Sequence, residues 1–128
     1  MAKILVADDD ASSLEVISLA LSGEGHDVVS AGNGQEAYEL AQSEQPDLVF
    51  LDIMMPIYNG YETCQLIRND PSIPATLPIV FLTSLDSDKR MMEKVGATDF
   101  LPKRHMVVEL RDLLVKHLGP LAMPGPAS

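Results

Sequence analysis

Short apolar runs and longer amphipathic stretches alternate along the chain. Ile4 to Ala7 is a brief β-type run ending in Asp8-Asp9-Asp10. Leu14, Ile17 and Leu21 then fall at helical spacing beside Ala20, which predicts a helix over about 11–23. Asp10 or Ser12 can cap its start, and Gly23 or Gly25 can end it. His26 to Ala31 predicts a second strand, and Asn33-Gly34 opens a second helix carried by Ala37, Leu40 and Ala41 to about Ser43. Leu48 to Leu51 is wholly apolar and bounded by turn residues, the pattern of a strand buried on both faces, with Asp52 at its end. Tyr61, Leu66 and Ile67 predict a third helix ending before the Pro71/Pro74/Pro78 cluster. Ile79 to Thr83 predicts a fourth buried strand, Ser87 to Lys94 a short helix stopped by Gly96, and Phe100-Leu101 a fifth strand. Met106 to Leu118 predicts a last helix with Val107, Leu110, Leu113 and Leu114 inward.

Five alternations of strand and helix predict an α/β fold: a mostly parallel, doubly wound sheet covered on both faces. Residues 1–118 fit one domain, and 119–128, with Pro120, Pro124, Gly125 and Pro126, read as a flexible tail or the start of a linker.

Composition narrows the function classes. A formal charge of −10 argues against direct binding to nucleic acid or an anionic membrane. No apolar run approaches membrane-spanning length, and the N-terminus lacks a signal-peptide layout, so the cytoplasm is the expected location. Cys64 is the one cysteine, which leaves no internal disulfide and reads as a small half-buried helix residue. His26, His105 and His117 lack convergent partners in sequence and read as surface residues. The Met54-Met55 and Met91-Met92 pairs read as packing.

The polar residues at the strand ends change the picture. Asp8 and Asp9 follow the first strand, Asp52 ends the third, Thr83 ends the fourth and Lys103 follows the fifth. In a parallel sheet these ends share one edge, where open α/β sheets bind ligands. Each residue alone has a plainer reading: Asp52 as a turn former, Asp8 to Asp10 as a capping run, Thr83 as a strand end, Lys103 as an exposed charge. Their coincidence on one edge favours a site. Three carboxylates at about 5 Å repel by roughly 3 kcal/mol per pair at an effective dielectric near 20. A divalent cation relieves that repulsion, and an all-oxygen set suits Mg²⁺, with Mn²⁺ as the alternative. With a metal, an ammonium and a hydroxyl around a phosphoryl group, Asp52 is placed to act as a nucleophile and form an aspartyl phosphate.

Four segments carry a family resemblance: Ile4 to Asp10, Pro46 to Pro56, Pro78 to Ser84 and Gly96 to Lys103. Over residues 3–118 the chain resembles the receiver domain of two-component response regulators. The resemblance implies the flavodoxin-like receiver fold with strand order 2-1-3-4-5. It implies Asp52 as phosphoacceptor, with Asp8, Asp9, Asp52 and the backbone carbonyl of Met54 around Mg²⁺. Thr83 would bind the phosphoryl group and Lys103 pair with it. Thr83 and Phe100 match the switch pair, although core packing is nearly as ready a reading of Phe100, and Ser84 matches the usual small residue after the threonine.

The implied function is phosphorelay signalling, with phosphoryl transfer from a histidine kinase or phosphotransfer protein to Asp52 switching conformation and partner binding. The implied protein is a phosphoacceptor with at most weak self-dephosphorylation, not an enzyme. It would be a monomer or a phosphorylation-dependent dimer, and its downstream protein is not named by the sequence. Alternatives are a degenerate receiver that only binds proteins, and a regulatory fragment of a longer protein with an enzymatic or DNA-binding output. A Mg²⁺ phosphohydrolase is a further rival, but such enzymes usually carry nucleophile and acid on one loop.

Some positions depart from the family. Arg104 stands where proline usually follows the lysine, so the Lys103–Arg104 bond is either trans with a shifted loop or cis at a cost of about 3 kcal/mol. His105 replaces an aromatic residue. Thr83 and Lys103 are 20 positions apart, a couple fewer than usual, which shortens the fourth helix. Ile57-Tyr58-Asn59-Gly60 replaces a more usual glycine and aspartate.

Overall fold

The computed structural model describes residues 2–84 and 88–119. Five strands, β1 (Lys3–Ala7), β2 (Asp27–Ala31), β3 (Leu48–Asp52), β4 (Ile79–Thr83) and β5 (Asp99–Pro102), form one sheet of order β2-β1-β3-β4-β5. Every pairing is parallel. Helices α1 (Ala11–Gly23), α2 (Gly34–Glu44), α3 (Gly60–Asn69), α4 (Lys89–Lys94) and α5 (Met106–Leu118) follow the strands in turn. The predicted order and topology are those observed.

The apolar runs are buried because both faces of the sheet are covered. Ile4, Val6, Leu48, Phe50, Val80 and Leu82 point to the side packed by α1 and α5, against Ile17, Leu21, Leu110 and Leu114. Leu5, Val49, Leu51, Ile79 and Phe81 point to the other side, against Ala37, Cys64, Ile67 and Met92. Alternation along each strand thus feeds two cores, which is why the strands read as continuous apolar runs.

Local chemistry starts the helices where the sequence placed them. The Asp10 carboxylate accepts from the Ser12 N–H at 3.0 Å, so this third aspartate is a cap. Asn33 accepts from the Glu36 N–H at 2.8 Å. Asn59 and Glu62 form a reciprocal capping box at 2.8 and 3.0 Å. α3 ends at Asn69, with Asp70 extended ahead of Pro71.

Several expectations are corrected. Val107 is 71% exposed, because Met106 takes the inward place one residue earlier. His26 precedes β2 and is buried, with Nδ1 accepting from the Ala2 N–H at 3.0 Å. His117 is not a surface residue either; its Nε2 lies 2.7 Å from the Asp99 carboxylate, which ties the end of α5 to the start of β5. Cys64 is fully rather than half buried, and its thiol donates to the Val95 carbonyl at 3.3 Å. Only one methionine of each pair packs: Met55 and Met92 are buried, while Met54 and Met91 are exposed. Helix α4 begins at Lys89, and Ser87 lies outside the described residues. The peptide bonds of the described residues are all trans, Lys103–Arg104 included, and residues 103–105 form a 3₁₀ turn.

Candidate functional site

The parallel register brings the strand ends together. β1 and β3 pair Ala7 with Leu51, so Asp8 and Asp52 emerge side by side. β4 and β5 pair Thr83 with Pro102, which sets Thr83 beside the residue before Lys103. Asp8 is held from both directions: its N–H donates to the Ala31 carbonyl at 3.1 Å, and its Oδ1 accepts from the Asp10 N–H at 2.9 Å. Asp52 Oδ1 accepts from the Ile53 N–H at 2.9 Å.

One ammonium serves two carboxylates. Lys103 Nζ lies 3.0 Å from Asp8 Oδ2 and 3.2 Å from Asp52 Oδ1. Asp8, Asp9 and Asp52 can each offer a carboxylate oxygen within 4.8 Å of the other two. Asp8 and Asp52 are buried and Asp9 is exposed, so the cluster opens to solvent on one side. Burial, and then repulsion from Asp8, push the Asp52 carboxyl up to about 6 despite the Lys103 ammonium. For Lys103, burial acts to lower the pKa, but the two carboxylates outweigh it and the net direction is up.

The donor set fits a divalent cation. Three carboxylates face one ammonium, Asp8 Oδ2 is fully buried with Lys103 as its ionic partner, and the exposed Asp9 leaves an entry path. Beside them a cleft of about 390 Å³ is lined by Asp52, Ile53, Met54, Tyr61, Leu82, Ser84 and Lys103.

The other expected residues fall as follows. Thr83 ends β4 and is 7% exposed. The Met54 side chain is 74% exposed, so any metal contact from this residue belongs to its backbone. Phe100 is half-buried on the α4 side of β5, packed against the core there. The sequence pattern did not single out Tyr61 as a cleft wall; its ring stacks at a tilt on Phe81, 5.7 Å between centroids. The Asn59/Glu62 spacing was the available signal, since a capping box there fixes how α3 meets the cleft.

A five-stranded parallel sheet of this order, with an acidic cluster and a lysine at its C-terminal edge, defines a phosphoacceptor module of the receiver type. The chain belongs to the response regulator receiver domain family, whose model matches residues 4–115. It is 41% identical over 110 residues to the "Probable transcriptional regulator ycf27" of Porphyridium aerugineum, covering 84% of this chain and 44% of that protein. It spans about half or less of the curated relatives it matches. Among solved structures, the chemotaxis protein CheY4 of Vibrio cholerae is 30% identical with a TM-score of 0.83, covering 91% of this chain and 98% of that one. The receiver domain of sensor histidine kinase PA1611 from Pseudomonas aeruginosa PAO1 is 27% identical with a TM-score of 0.85, covering 92% and 98%, and carries a magnesium ion in its active-site cleft. The chain therefore works in two-component phosphorelay signalling, as a phosphoacceptor rather than a turnover enzyme. Receiver domains are phosphorylated by histidine kinases. No described helix is long and apolar enough to cross a membrane.

Proposed function

We propose that Asp52 is the phosphoacceptor and that Asp8, Asp9, Asp52 and the Met54 carbonyl hold Mg²⁺, with Mn²⁺ able to replace it. The observation that carries this reading is the Lys103 ammonium within 3.2 Å of both Asp8 and Asp52, at the head of a three-carboxylate cluster. The magnesium of the PA1611 receiver supports the choice of metal. An Asp52 carboxylate oxygen attacks the phosphorus of a phosphohistidine on a histidine kinase or phosphotransfer protein. A P–O bond forms and the P–N bond breaks, leaving an acyl phosphate on Asp52. Lys103 releases its contact with the consumed carboxylate charge and pairs with the phosphoryl oxygens, and Thr83 donates its hydroxyl to another. A bound Mg²⁺ supplies charge neutralisation on the transferred group.

Thr83 and Phe100 then carry the change outward, and the acyl phosphate shifts a pre-existing equilibrium that selects the next partner. Residues 1–118 act as the receiver, and 119–128 as a tail or the beginning of a linker. The names of the longer relatives favour one elaboration: this receiver regulates an attached DNA-binding output.

The test is direct. Beryllofluoride with Mg²⁺, or a small phosphodonor, should occupy or modify the wild type but not Asp52→Asn. An equal response from the variant overturns the assignment. No response from either protein favours the degenerate receiver.

A further inference from the structure

The loop that follows Asp52 is strained and wedged from outside the site. Ile57 has φ +73°, in the left-handed region that a β-branched side chain resists. The Tyr58 N–H donates back to the Pro56 carbonyl at 2.9 Å, so residues 56–58 close a γ-turn of the rarer hand around Ile57. Ile57 is 62% exposed, so packing of its own side chain does not hold it there. Backbone contacts hold it instead. The Gly34 N–H points to the Pro56 carbonyl at 3.4 Å. A Cβ on Gly34 would run into the Tyr58 carbonyl oxygen and the Thr63 hydroxyl, and would sit 2.6 Å from Tyr58 Cβ. Gly34 is therefore in its close-packed place because nothing larger fits, and it is the first residue of α2, an element that supplies no group to the site. From the other side, the Gly60 N–H donates to the Ile53 carbonyl at 2.7 Å, and the Thr63 hydroxyl donates to the Asn59 carbonyl at 2.8 Å.

We infer that Gly34 is a positioning residue for the metal site: by wedging the Pro56–Tyr58 turn it sets where the backbone of residues 53–55 lies against the Asp8/Asp9/Asp52 carboxylates. The inference rests on the proposed Mg²⁺ site. The loop has little slack, since Asp52 and Gly60 fix its two ends and the strained turn has to absorb any displacement. A Cβ at residue 34 pushes Tyr58 away, and the shift passes through Pro56 toward the Met54 carbonyl. Partners bonded directly to a metal ligand are typically worth about 10–100-fold in metal affinity, and Gly34 acts one step further out, which sets the expectation at the low end of that range.

The experiment measures Mg²⁺ affinity by amide shifts in NMR titrations of wild type, Gly34→Ala, Thr63→Val and Leu118→Ala, each under conditions where it is folded. Gly34→Ala should weaken Mg²⁺ binding about tenfold. Thr63→Val keeps the side-chain shape, loses only the hydroxyl bond to Asn59, and should weaken binding less but measurably. Leu118→Ala removes buried volume from α5, remote from the loop, and should lower stability while leaving Mg²⁺ affinity unchanged. Adding Ile57→Gly to Gly34→Ala should restore part of the affinity, because a glycine adopts the strained turn without cost. Folded Gly34→Ala with wild-type affinity overturns the inference. Should Gly34→Ala not fold, wild-type affinity in Thr63→Val overturns it. A wild type that does not bind Mg²⁺ at all overturns the metal reading underneath.

Discussion

Replacing Asp52 with asparagine should stabilise the metal-free protein. The Asp52 side chain is only 12% exposed, and burial together with the Asp8 charge raises its carboxyl from its ordinary value of 3.8 to about 6. A folded-state pKa above the unfolded one means that ionised Asp52 costs the fold stability. That cost is complete above about pH 6, and it is relieved as pH falls through the window from about 6 to 3.8. At 1.36 kcal/mol per pH unit the span corresponds to a ceiling of about 3 kcal/mol. The cleft keeps one side of the carboxylate hydrated, so about 1–2 kcal/mol is the expected gain at pH 7. Asparagine preserves the useful contacts: its Oδ1 can still accept from the Ile53 N–H and from Lys103. For a chain of 128 residues this gain corresponds to roughly 4–7 °C in Tm. The assay is urea and thermal unfolding of both proteins in EDTA at about pH 7 and about pH 4.5. The variant's advantage should be present at the higher pH and shrink at the lower. Equal stability at pH 7, or an advantage that does not depend on pH, would refute the account of a strained buried charge.

Other outcomes follow from the same geometry. Millimolar Mg²⁺ should raise the Tm of the wild type by linkage, about 2.7 kcal/mol at a hundred times Kd, and Asp9→Asn should lose most of that rise while still folding. Ile57→Gly should stabilise the fold by about 1 kcal/mol, the relief of left-handed strain being partly offset by the added freedom of the unfolded chain; urea midpoints measure it. His26 should titrate below its ordinary 6.5 in NMR, because burial and the nearby N-terminus oppose its charge while Glu24, Asp27 and Asp47 only partly offset them. Its lowered pKa means that the stability it supports is present above about pH 6.5 and declines as pH falls below that value.

Much of this molecule is written locally. Leu48 to Asp52 declares a doubly buried strand by having no polar residue before its last position, and Asn33, Asn59 and Asp10 declare helix starts by their own side-chain chemistry. The candidate site was legible as a grouping because its members share a position relative to their strands, which a parallel sheet converts into a common edge. What escaped the sequence depends on partners far along the chain. His26 is buried because the Ala2 backbone, 24 positions away, supplies its hydrogen bond. His117 finds Asp99 across 18 positions. Val107 sits at a helical spacing compatible with burial, but Met106 fits the same periodicity, and only the angle at which α5 meets the sheet decides between them. The Gly34 wedge has no local pattern in sequence, because the residues it meets, Tyr58 and Thr63, lie far along the chain, just before and within α3.

The register of the sheet has a consequence for biosynthesis. Asp8, Asp52, Thr83 and Lys103 hang from β1, β3, β4 and β5, so no contiguous half of the chain contains the whole proposed site. A nascent or partly unfolded chain that still displays Asp52 lacks the ammonium until residue 103 has been made and β5 has docked on β4. Competence to accept a phosphoryl group is thus a sign that the receiver sheet is complete, given by the strand that comes last in its chain order. Signalling traffic can then engage folded receivers without any separate inspection step.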